Sequence, residues 1–167
     1  MIKDIKILIV DCDGCLTDGK FYYSSEGKIM KVFNARDGIG LIQVMNAGIS
    51  AGIISGDNNG KIIHARSNDL NLNFCFTGIK NKFAKVEKIL KENKLKWNNV
   101  CYIGDDINDH ECMINSGLTF CPSNSHEKIL SISNIICKKN GGEGCVREAC
   151  DYIVQLTERK NEKSEEK

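Results

Sequence analysis

Acidic side chains cluster after an apolar run near the start of the chain, in the segment LIVDCDGCLTDG. Asp11 and Asp13 follow residues 8–10, and because side chains of an extended strand alternate with period two, both carboxylates can point to the same side. A second segment, GDDIND, adds the carboxylates of Asp105, Asp106 and Asp109. Such a cluster repels itself at neutral pH unless protons or a cation lie between the oxygens. Oxygen ligands without thiolate or imidazole favour Mg²⁺, which also binds substrate phosphate, so the predicted chemistry is Mg²⁺-dependent and acts on a phosphate compound.

The elements that would position these acids follow from the apolar pattern. Short apolar runs alternate with helical patterns, as in βαβ units and parallel sheets. The predicted strands are residues 5–10, 51–54, 74–76, 100–103, 118–121 and 135–137. The clearest helix covers residues 82–93, and weaker patterns predict helices over residues 40–46, 61–70, 108–116, 125–132 and 146–156. The predicted fold class is α/β, a three-layer, Rossmann-like, doubly wound parallel sheet.

One segment interrupts this alternation, KFYYSSEGKIMKVFNA. Two β-rich arms, residues 20–23 and 28–33, flank the turn-forming SSEG, so a β-hairpin insertion is predicted at about residues 20–33. The 167 residues fit one domain, expected over residues 1–157. Residues 158–167, ERKNEKSEEK, have no apolar side chain to bury and are expected to be disordered.

Polar residues end three of the predicted strands. Ligands of an open parallel sheet collect beyond the carboxyl ends of its strands, where Asp11, Ser55 and Asp105 would meet. Lys82 begins a predicted helix, and with Ser55 it is predicted to hold phosphoryl oxygens by charge and hydrogen bond. A lone D-x-D is more often a turn, and GDDIND alone could cap a helix. The prediction therefore rests on the conjunction of these residues at one sheet edge.

Composition excludes several other classes of function. The 23 basic and 22 acidic residues give a net charge of +1, without the basic excess of a nucleic-acid-binding protein. No window approaches the roughly 18 apolar residues of a membrane span, and MIKDIKILIV is too short for a secretory signal, so a cytoplasmic location is expected. The nine cysteines lie in apolar runs and are expected to be reduced. Cys12 and Cys15 lack the second pair that a structural zinc site needs.

Four segments together resemble a known family. DCDGCLTDG, IISGD, Lys82 and GDDIND are similar, in that order, to the four motifs of the haloacid dehalogenase (HAD) superfamily of phosphatases. Over about residues 7–152 the chain resembles the small capless subgroup of 3-deoxy-D-manno-octulosonate (KDO) 8-phosphate phosphatases and nonulosonate 9-phosphate phosphatases. The segments RDGIG at residues 36–40 and GGEGCVRE at residues 141–148 are further marks of that subgroup.

This resemblance implies roles for the candidate residues. Asp11 would be the nucleophile that forms an aspartyl-phosphate, and Asp13 the general acid and then base. Asp11, the Asp13 carbonyl and Asp105 would hold Mg²⁺, with Asp106 or Asp109 in support. The implied catalytic residues are Asp11, Asp13, Ser55 and Lys82. The implied substrate-binding residues are Thr17, Ser55, Gly56, Arg66, Lys82 and Arg147, of which the arginines would supply cations for a sugar carboxylate.

The resemblance also bears on assembly and substrate. No segment between the motifs is long enough for a cap domain, and water must be limited around the reacting phosphoryl group, so a neighbouring chain is expected to close the site. The resemblance to this subgroup implies that the assembly is a homotetramer. The hairpin and residues 141–148 are the candidate contacts. The implied substrate is KDO 8-phosphate, of lipopolysaccharide biosynthesis, with a nonulosonate 9-phosphate as the alternative. Octulosonate phosphatases usually carry Arg at the position of Asp57 and nonulosonate phosphatases Glu, so Asp57 departs from both patterns.

Two non-enzymatic classes of protein are alternatives to a phosphatase. A phospho-accepting receiver module also uses a doubly wound sheet, an acidic cluster, a hydroxyl and a lysine. Receivers place adjacent acids after the first strand and the phosphorylated Asp after the third, whereas this chain has Asp11 and Asp13 first and its acid pair after the fourth. A non-catalytic interaction domain is disfavoured because all the chemical residues are present.

Overall fold

Strands and helices alternate along the chain, as the apolar pattern predicts. A computed structural model describes residues 4–165. Its strands are β1 (Ile7–Val10), β2 (Tyr22–Ser24), β3 (Gly27–Met30), β4 (Ser50–Ile54), β5 (Phe74–Phe76), β6 (Val100–Ile103), β7 (Leu118–Cys121) and β8 (Ile135–Ile136). Its helices are α1 (Ala35–Asn46), α2 (Lys61–Asp69), α3 (Lys82–Glu92), α4 (His110–Asn115), α5 (Glu127–Ile132) and α6 (Cys145–Glu165). Short turns of helix occur at Cys12–Leu16, Trp97–Asn99 and Ile107–Asp109.

Six strands form one parallel sheet, in the order β5-β4-β1-β6-β7-β8. The central strand β1 pairs with β4 on one side and β6 on the other, so that Val10 lies opposite both Ile53 and Ile103. The carboxyl ends of these three strands are consequently neighbours. The α/β, doubly wound parallel fold predicted from the sequence is confirmed.

Alternating side chains of β1 supply both faces of the sheet, and β1 is buried throughout. Leu8 and Val10 pack in a core with residues of α1, α2 and α6. Ile7 and Ile9 pack in a second core with residues of α3, α4 and α5. The sheet therefore lies between two helical layers, which is the three-layer arrangement expected.

Helix α1 begins five residues earlier than the Gly40 predicted. The Asn34 side chain caps it by accepting the Arg36 N–H at 2.9 Å. Glycine is a poor helix former, so the glycines of RDGIG weaken the helical pattern of this segment. Helix packing explains the glycine at position 40, because a Cβ there would lie about 3.0 Å from Arg147 and Cys150 of α6.

The predicted hairpin is present but shorter. Strands β2 and β3 pair antiparallel, with Ser24 opposite Gly27, and an irregularity falls between Tyr22 and Tyr23. The hairpin and its flanks expose several large apolar side chains: Phe21, Tyr22, Tyr23, Ile29, Met30 and Val32.

The last helix extends beyond its predicted end at Leu156. Helix α6 continues to Glu165, so the structure differs from the disordered tail expected over residues 158–165. The segment is rich in Glu, Lys and Arg, which are good helix formers even without an apolar face. Residues 166–167 lie outside the described part. Among residues 4–165, none of the helices has both the length and the apolar character needed to cross a membrane.

Candidate active site

The first acidic segment turns sharply after β1. The Asp11 N–H still donates to a backbone carbonyl of β6 at 2.9 Å, and the Asp11 side chain is buried. Within the turn Cys12–Leu16, Gly14 has a φ of 95°, a region that favours glycine. A Cβ at Gly14 would also collide with the Asp105 carboxylate. This turn lets Asp11 and Asp13 line the same cleft.

Three carboxylates meet at this edge of the sheet, those of Asp11, Asp105 and Asp109, which we call the carboxylate cluster. Ligand oxygens of the three lie within 4.8 Å of one another. Asp105 follows β6, the neighbour of β1, and its N–H donates to Asp109 Oδ2 at 3.2 Å. The structure thus brings together acids that lie almost 100 residues apart in the sequence.

Lys82 is buried against the carboxylate cluster. Its Nζ lies 2.6 Å from Asp11 Oδ1 and 2.8 Å from Asp109 Oδ1. The side chain of Asn81 caps α3 by accepting the Ala84 N–H at 2.9 Å, which fixes the start of the helix. Burial lowers the pKa of Lys82, but the charges of Asp11 and Asp109 more than compensate, so that this pKa lies above its ordinary value. Lys82 is therefore a permanent cation in the site.

Asp109 and Asp106 have different surroundings although both belong to GDDIND. Asp109 is fully buried, and its Oδ1 also accepts the Tyr102 hydroxyl at 2.8 Å. Asp106 is exposed and accepts the Ile107 N–H at 2.7 Å, which caps the following turn. Asp106 lines the cleft but is not part of the carboxylate cluster. Tyr102 was not predicted, because it lies within the apolar run of β6 and carries no polar signal there.

Burial and mutual repulsion disfavour the ionised carboxylates. Burial, together with the charges of Asp109 and Asp105, raises the pKa of Asp11 well above its ordinary value, against the opposing effect of Lys82. Burial and the charge of Asp109 raise the pKa of Asp105 to about 6. Burial also raises the pKa of the nearby Cys15 thiol, which argues against a thiolate ligand. The donors present are carboxylate oxygens, so they fit a divalent cation that prefers oxygen.

A cleft of about 480 Å³ opens over the strand ends. It is lined by Asp11, Asp13, Gly19, Phe21, Lys28, Ser55, Gly56, Asp57, Asp105, Asp106 and Asn108. Ser55 and Gly56, both predicted to bind substrate, lie in the loop after β4 and form part of this wall. The Ser55 Oγ accepts the Asp57 N–H at 3.1 Å, which holds the loop back toward the strand end.

The hairpin brings two lysines to the site. Lys31 contacts Asp13 Oδ1 and lies 2.9 Å from Asp57 Oδ2, and Lys28 lies 2.8 Å from the same Asp57 oxygen. Both ammonium groups lie over the Phe21 ring, at 3.9 and 4.6 Å from its centroid. Burial raises the pKa of Asp57, but the close contacts with the two lysine ammonium groups outweigh it and leave this pKa below its ordinary value. No local sequence pattern indicates either lysine, because their partners lie on distant segments.

Thr17 was predicted to bind substrate but is buried. Its hydroxyl lies 3.5 Å from Asp13 Oδ1 and accepts the Gly19 N–H at 3.2 Å. Thr17 is not among the residues that line the cleft. Its contacts stabilise the turn that carries Asp13.

Neither predicted arginine reaches the cleft of its own chain. Arg66 Nη2 donates to the Asn34 carbonyl at 3.5 Å, and Arg66 lines a separate groove beside α2. Arg147 Nε donates to Asp151 Oδ1 at 2.7 Å and lines a groove between α1 and α6. Both side chains belong to helices of one layer, whereas the cleft lies at the edge of the sheet. Neither arginine is among the residues that line the cleft of its own chain, so their role in substrate binding stays a prediction.

Comparisons with known proteins agree with this geometry. Residues 49–148 match the haloacid dehalogenase-like hydrolase family. The 3-deoxy-D-manno-octulosonate 8-phosphate phosphatase of Yersinia pestis is 32% identical over 151 residues, which cover 90% of this chain and 80% of that protein.

Solved structures give the same result. A probable YrbI family phosphatase from Pseudomonas syringae has a TM-score of 0.90 at 33% identity, over 93% of this chain and 88% of that one. The Moraxella catarrhalis 3-deoxy-D-manno-octulosonate 8-phosphate phosphatase, in complex with a magnesium ion, a phosphate ion and a KDO molecule, has a TM-score of 0.88 at 32% identity, over 93% and 88%. The similarity therefore extends over nearly the whole chain and is not confined to one motif.

Proposed function

Because the chain belongs to the haloacid dehalogenase-like hydrolases, and within them to the phosphatases, we propose that it hydrolyses 3-deoxy-D-manno-octulosonate 8-phosphate with Mg²⁺ as its cofactor. The observation that carries the proposal is the position of Asp11. Its carboxylate is buried, lines the cleft, lies 2.6 Å from Lys82 and shares the carboxylate cluster with Asp105. A buried carboxylate that lines the cleft beside a permanent cation can attack a bound phosphate.

The reaction that we propose has two steps. In the first, a carboxylate oxygen of Asp11 bonds to phosphorus while the bond from phosphorus to the sugar oxygen breaks, and Asp13 gives its proton to that oxygen. In the second, Asp13 takes a proton from water, which attacks phosphorus and releases Asp11. Asp11, the Asp13 carbonyl and Asp105 would hold Mg²⁺. Asp109, the third member of the carboxylate cluster, would support this site. When bound, the cation neutralises the repulsion between carboxylate and phosphate and stabilises charge in the transition state.

Three further residues would hold the transferring phosphoryl group. The Ser55 hydroxyl and the Gly56 backbone N–H belong to the cleft wall, where they can donate to phosphoryl oxygens. Lys82 supplies positive charge beside Asp11, which favours approach of an anion to a carboxylate. Asp109 orients this lysine through Oδ1, while Tyr102 donates to the same oxygen.

The substrate follows from the relatives and from one residue of the cleft. The relatives' substrate, KDO 8-phosphate, is the first candidate. The second candidate is a nonulosonate 9-phosphate, because the cleft wall carries the acidic Asp57 where the octulosonate enzymes usually carry Arg. Both are carboxylate-bearing sugar phosphates, so the chemistry at Asp11 would be the same.

Assembly belongs to the proposal as well. We retain the predicted homotetramer, in which neighbouring chains close the open cleft, and the predicted cytoplasmic location. The support for association is the hairpin, which exposes six large apolar side chains beside the cleft: Phe21, Tyr22, Tyr23, Ile29, Met30 and Val32. Such a patch is typical of a protein contact. Arg66 and Arg147 could act on a substrate carboxylate only by way of a neighbouring chain.

Phosphate release from a substrate panel tests the proposal. KDO 8-phosphate, sialate 9-phosphate and hexose 6-phosphates are compared with Mg²⁺, with Asp11→Asn as the inactive control. We expect a sugar acid phosphate to exceed the hexose phosphates in kcat/KM by at least about tenfold, the effect of about 1.4 kcal/mol in one contact. Equal rates across the panel would contradict the assigned substrate class. Labelling of the protein without turnover would instead identify a receiver module. Absence of both labelling and phosphate release would identify a non-catalytic domain.

A further inference from the structure

A buried lysine outside the carboxylate cluster contacts the residue assigned as general acid and base. Lys31 directly follows β3, and its side chain is buried. Its Nζ contacts Asp13 Oδ1 and lies 2.9 Å from Asp57 Oδ2. This cation therefore bridges two carboxylates that follow different strands, β1 and β4.

Asp13 has one other side-chain partner within residues 4–165. The Thr17 hydroxyl lies 3.5 Å from the same oxygen, Oδ1. A hydroxyl contact at that distance is weak, whereas the Lys31 contact is shorter and joins two opposite charges. Lys31 is therefore the main anchor of Asp13. Both contacts are to Oδ1, which leaves Oδ2 to carry the transferred proton.

Asp57 fixes the opposite side of Lys31. Its Oδ2 also lies 2.8 Å from Lys28 Nζ, and its Oδ1 accepts the Asn59 N–H at 3.0 Å. Its own N–H donates to Ser55 Oγ at 3.1 Å. Asp57 is thus tied to the loop after β4 while it pairs with two lysines of the hairpin.

From these contacts we propose that Lys31 is a positioning residue, which holds the Asp13 carboxylate in place for proton transfer, and that Asp57 holds Lys31. The inference rests on the proposed function, since it takes Asp13 as the general acid and base. Lys31 is not among the residues that line the cleft, so it acts through Asp13 and does not contact substrate. Asp57 then acts as the partner of the hairpin lysines.

The leaving group separates this role from a general effect on folding. Asp13 must protonate the sugar oxygen as its bond to phosphorus breaks, because a sugar alkoxide is a poor leaving group. p-Nitrophenolate is stable as an anion and leaves without that proton. The ratio kcat/KM reports steps up to this first bond cleavage. Misplacing Asp13 should therefore lower kcat/KM for the sugar phosphate and spare p-nitrophenyl phosphate.

The test compares kcat/KM of the full chain with Mg²⁺ on KDO 8-phosphate and on p-nitrophenyl phosphate. General acid catalysis contributes about 100- to 10,000-fold, so we expect Lys31→Met to lower the value for the sugar phosphate by about 10- to 100-fold. The value for p-nitrophenyl phosphate should fall by less than about threefold. Lys31→Arg should restore most of the loss, and Asp57→Asn should show the same pattern more weakly. Lys20→Met, which removes an exposed lysine near the hairpin, is the matched control and should resemble the parent on both substrates.

Asp13→Asn distinguishes failure of this inference from failure of the proposed function. It should show the selective loss, and adding Lys31→Met to it should lower the sugar phosphate value no further. Suppose that Asp13→Asn is selective but Lys31→Met lowers kcat/KM equally for both substrates, or for neither of them. Lys31 then does not position Asp13. If Asp13→Asn itself is not selective, the acid–base assignment fails and the inference with it. Should circular dichroism show Lys31→Met to be unfolded, Lys31→Gln and Asp57→Asn are judged by the same criterion.

Discussion

Asp11, Asp105 and Asp109 carry three negative charges when ionised, and Lys82 contacts two of these carboxylates. Burial, together with this excess of negative charge, raises the pKa of Asp11 and brings that of Asp105 to about 6. The repulsion among the carboxylates can be reduced in two ways, by protonation at low pH and by a bound cation at neutral pH. The same residues thus connect metal binding to stability.

This balance predicts how stability depends on pH. The folded pKa of Asp105 is about 6 against an ordinary 3.8, so in metal-free protein its contribution to stability is fully present below about pH 4 and is lost as the pH rises through 6. The loss is at most about 3 kcal/mol, since one pKa unit corresponds to about 1.4 kcal/mol. Urea unfolding of parent and Asp105→Asn between pH 4 and 7.5 measures it. The parent should lose stability relative to the variant across this range.

Magnesium supplies the control for that experiment. At pH 7.5 we expect Mg²⁺ to raise the thermal midpoint of the parent and to have little effect on Asp105→Asn, which lacks one carboxylate of the cluster. At pH 4.5 the effect on the parent should be small because protons compete for the oxygens. An equal Mg²⁺ effect on both proteins would exclude Asp105 as a ligand.

Among the secondary-structure elements, the turn after β1 sets the geometry of the cluster. Gly14→Ala should disturb it twice, through its positive φ and through a collision with the Asp105 carboxylate. Gly48→Ala is a matched control, because Gly48 has a φ of 82° and nothing lies near its Cβ position. Both variants should lose about 1 kcal/mol of stability to backbone strain. Only Gly14→Ala should also lose Mg²⁺ affinity and activity, and retention of both would contradict the assigned role of this turn.

The sequence was sufficient to predict the elements that carry the site. Five of the six sheet strands agree with the structure to within one residue at each end, because buried parallel strands are short continuous apolar runs. The start of α1 was misplaced because the close approach of α6 at Gly40 is a tertiary effect. Asp11 and Asp105 were predictable because the carboxyl ends of parallel strands share one edge.

Other parts of the site depend on contacts that no local pattern records. Lys31 contacts Asp13 across 18 residues, and Asp57 lies on another loop. Tyr102 appeared in sequence as a core residue of β6, although its hydroxyl contacts Asp109. Arg66 and Arg147 were assigned by resemblance, and the direction of a helical side chain depends on packing that the sequence alone does not give.

For the whole molecule, the exposed hairpin predicts association. The parent should be a tetramer by light scattering, and Tyr23→Ser combined with Ile29→Ser should weaken association, because these are two of the most exposed apolar side chains of the hairpin. Tyr152→Ser, an exposed aromatic residue on α6, is the comparison variant and should leave the oligomer intact. A fully active monomeric parent would rule out closure of the cleft by a neighbour.

The most direct test of the central claim is to locate the phosphate on the protein during turnover. Substrate labelled in its phosphoryl group is mixed with the parent and Mg²⁺, the reaction is quenched in acid within one turnover, and the labelled peptide is identified. The account predicts an acyl phosphate on Asp11 that forms before free phosphate, and none in Asp11→Asn. Label on another residue, or an Asp11→Asn protein that hydrolyses substrate as fast as the parent, would contradict it.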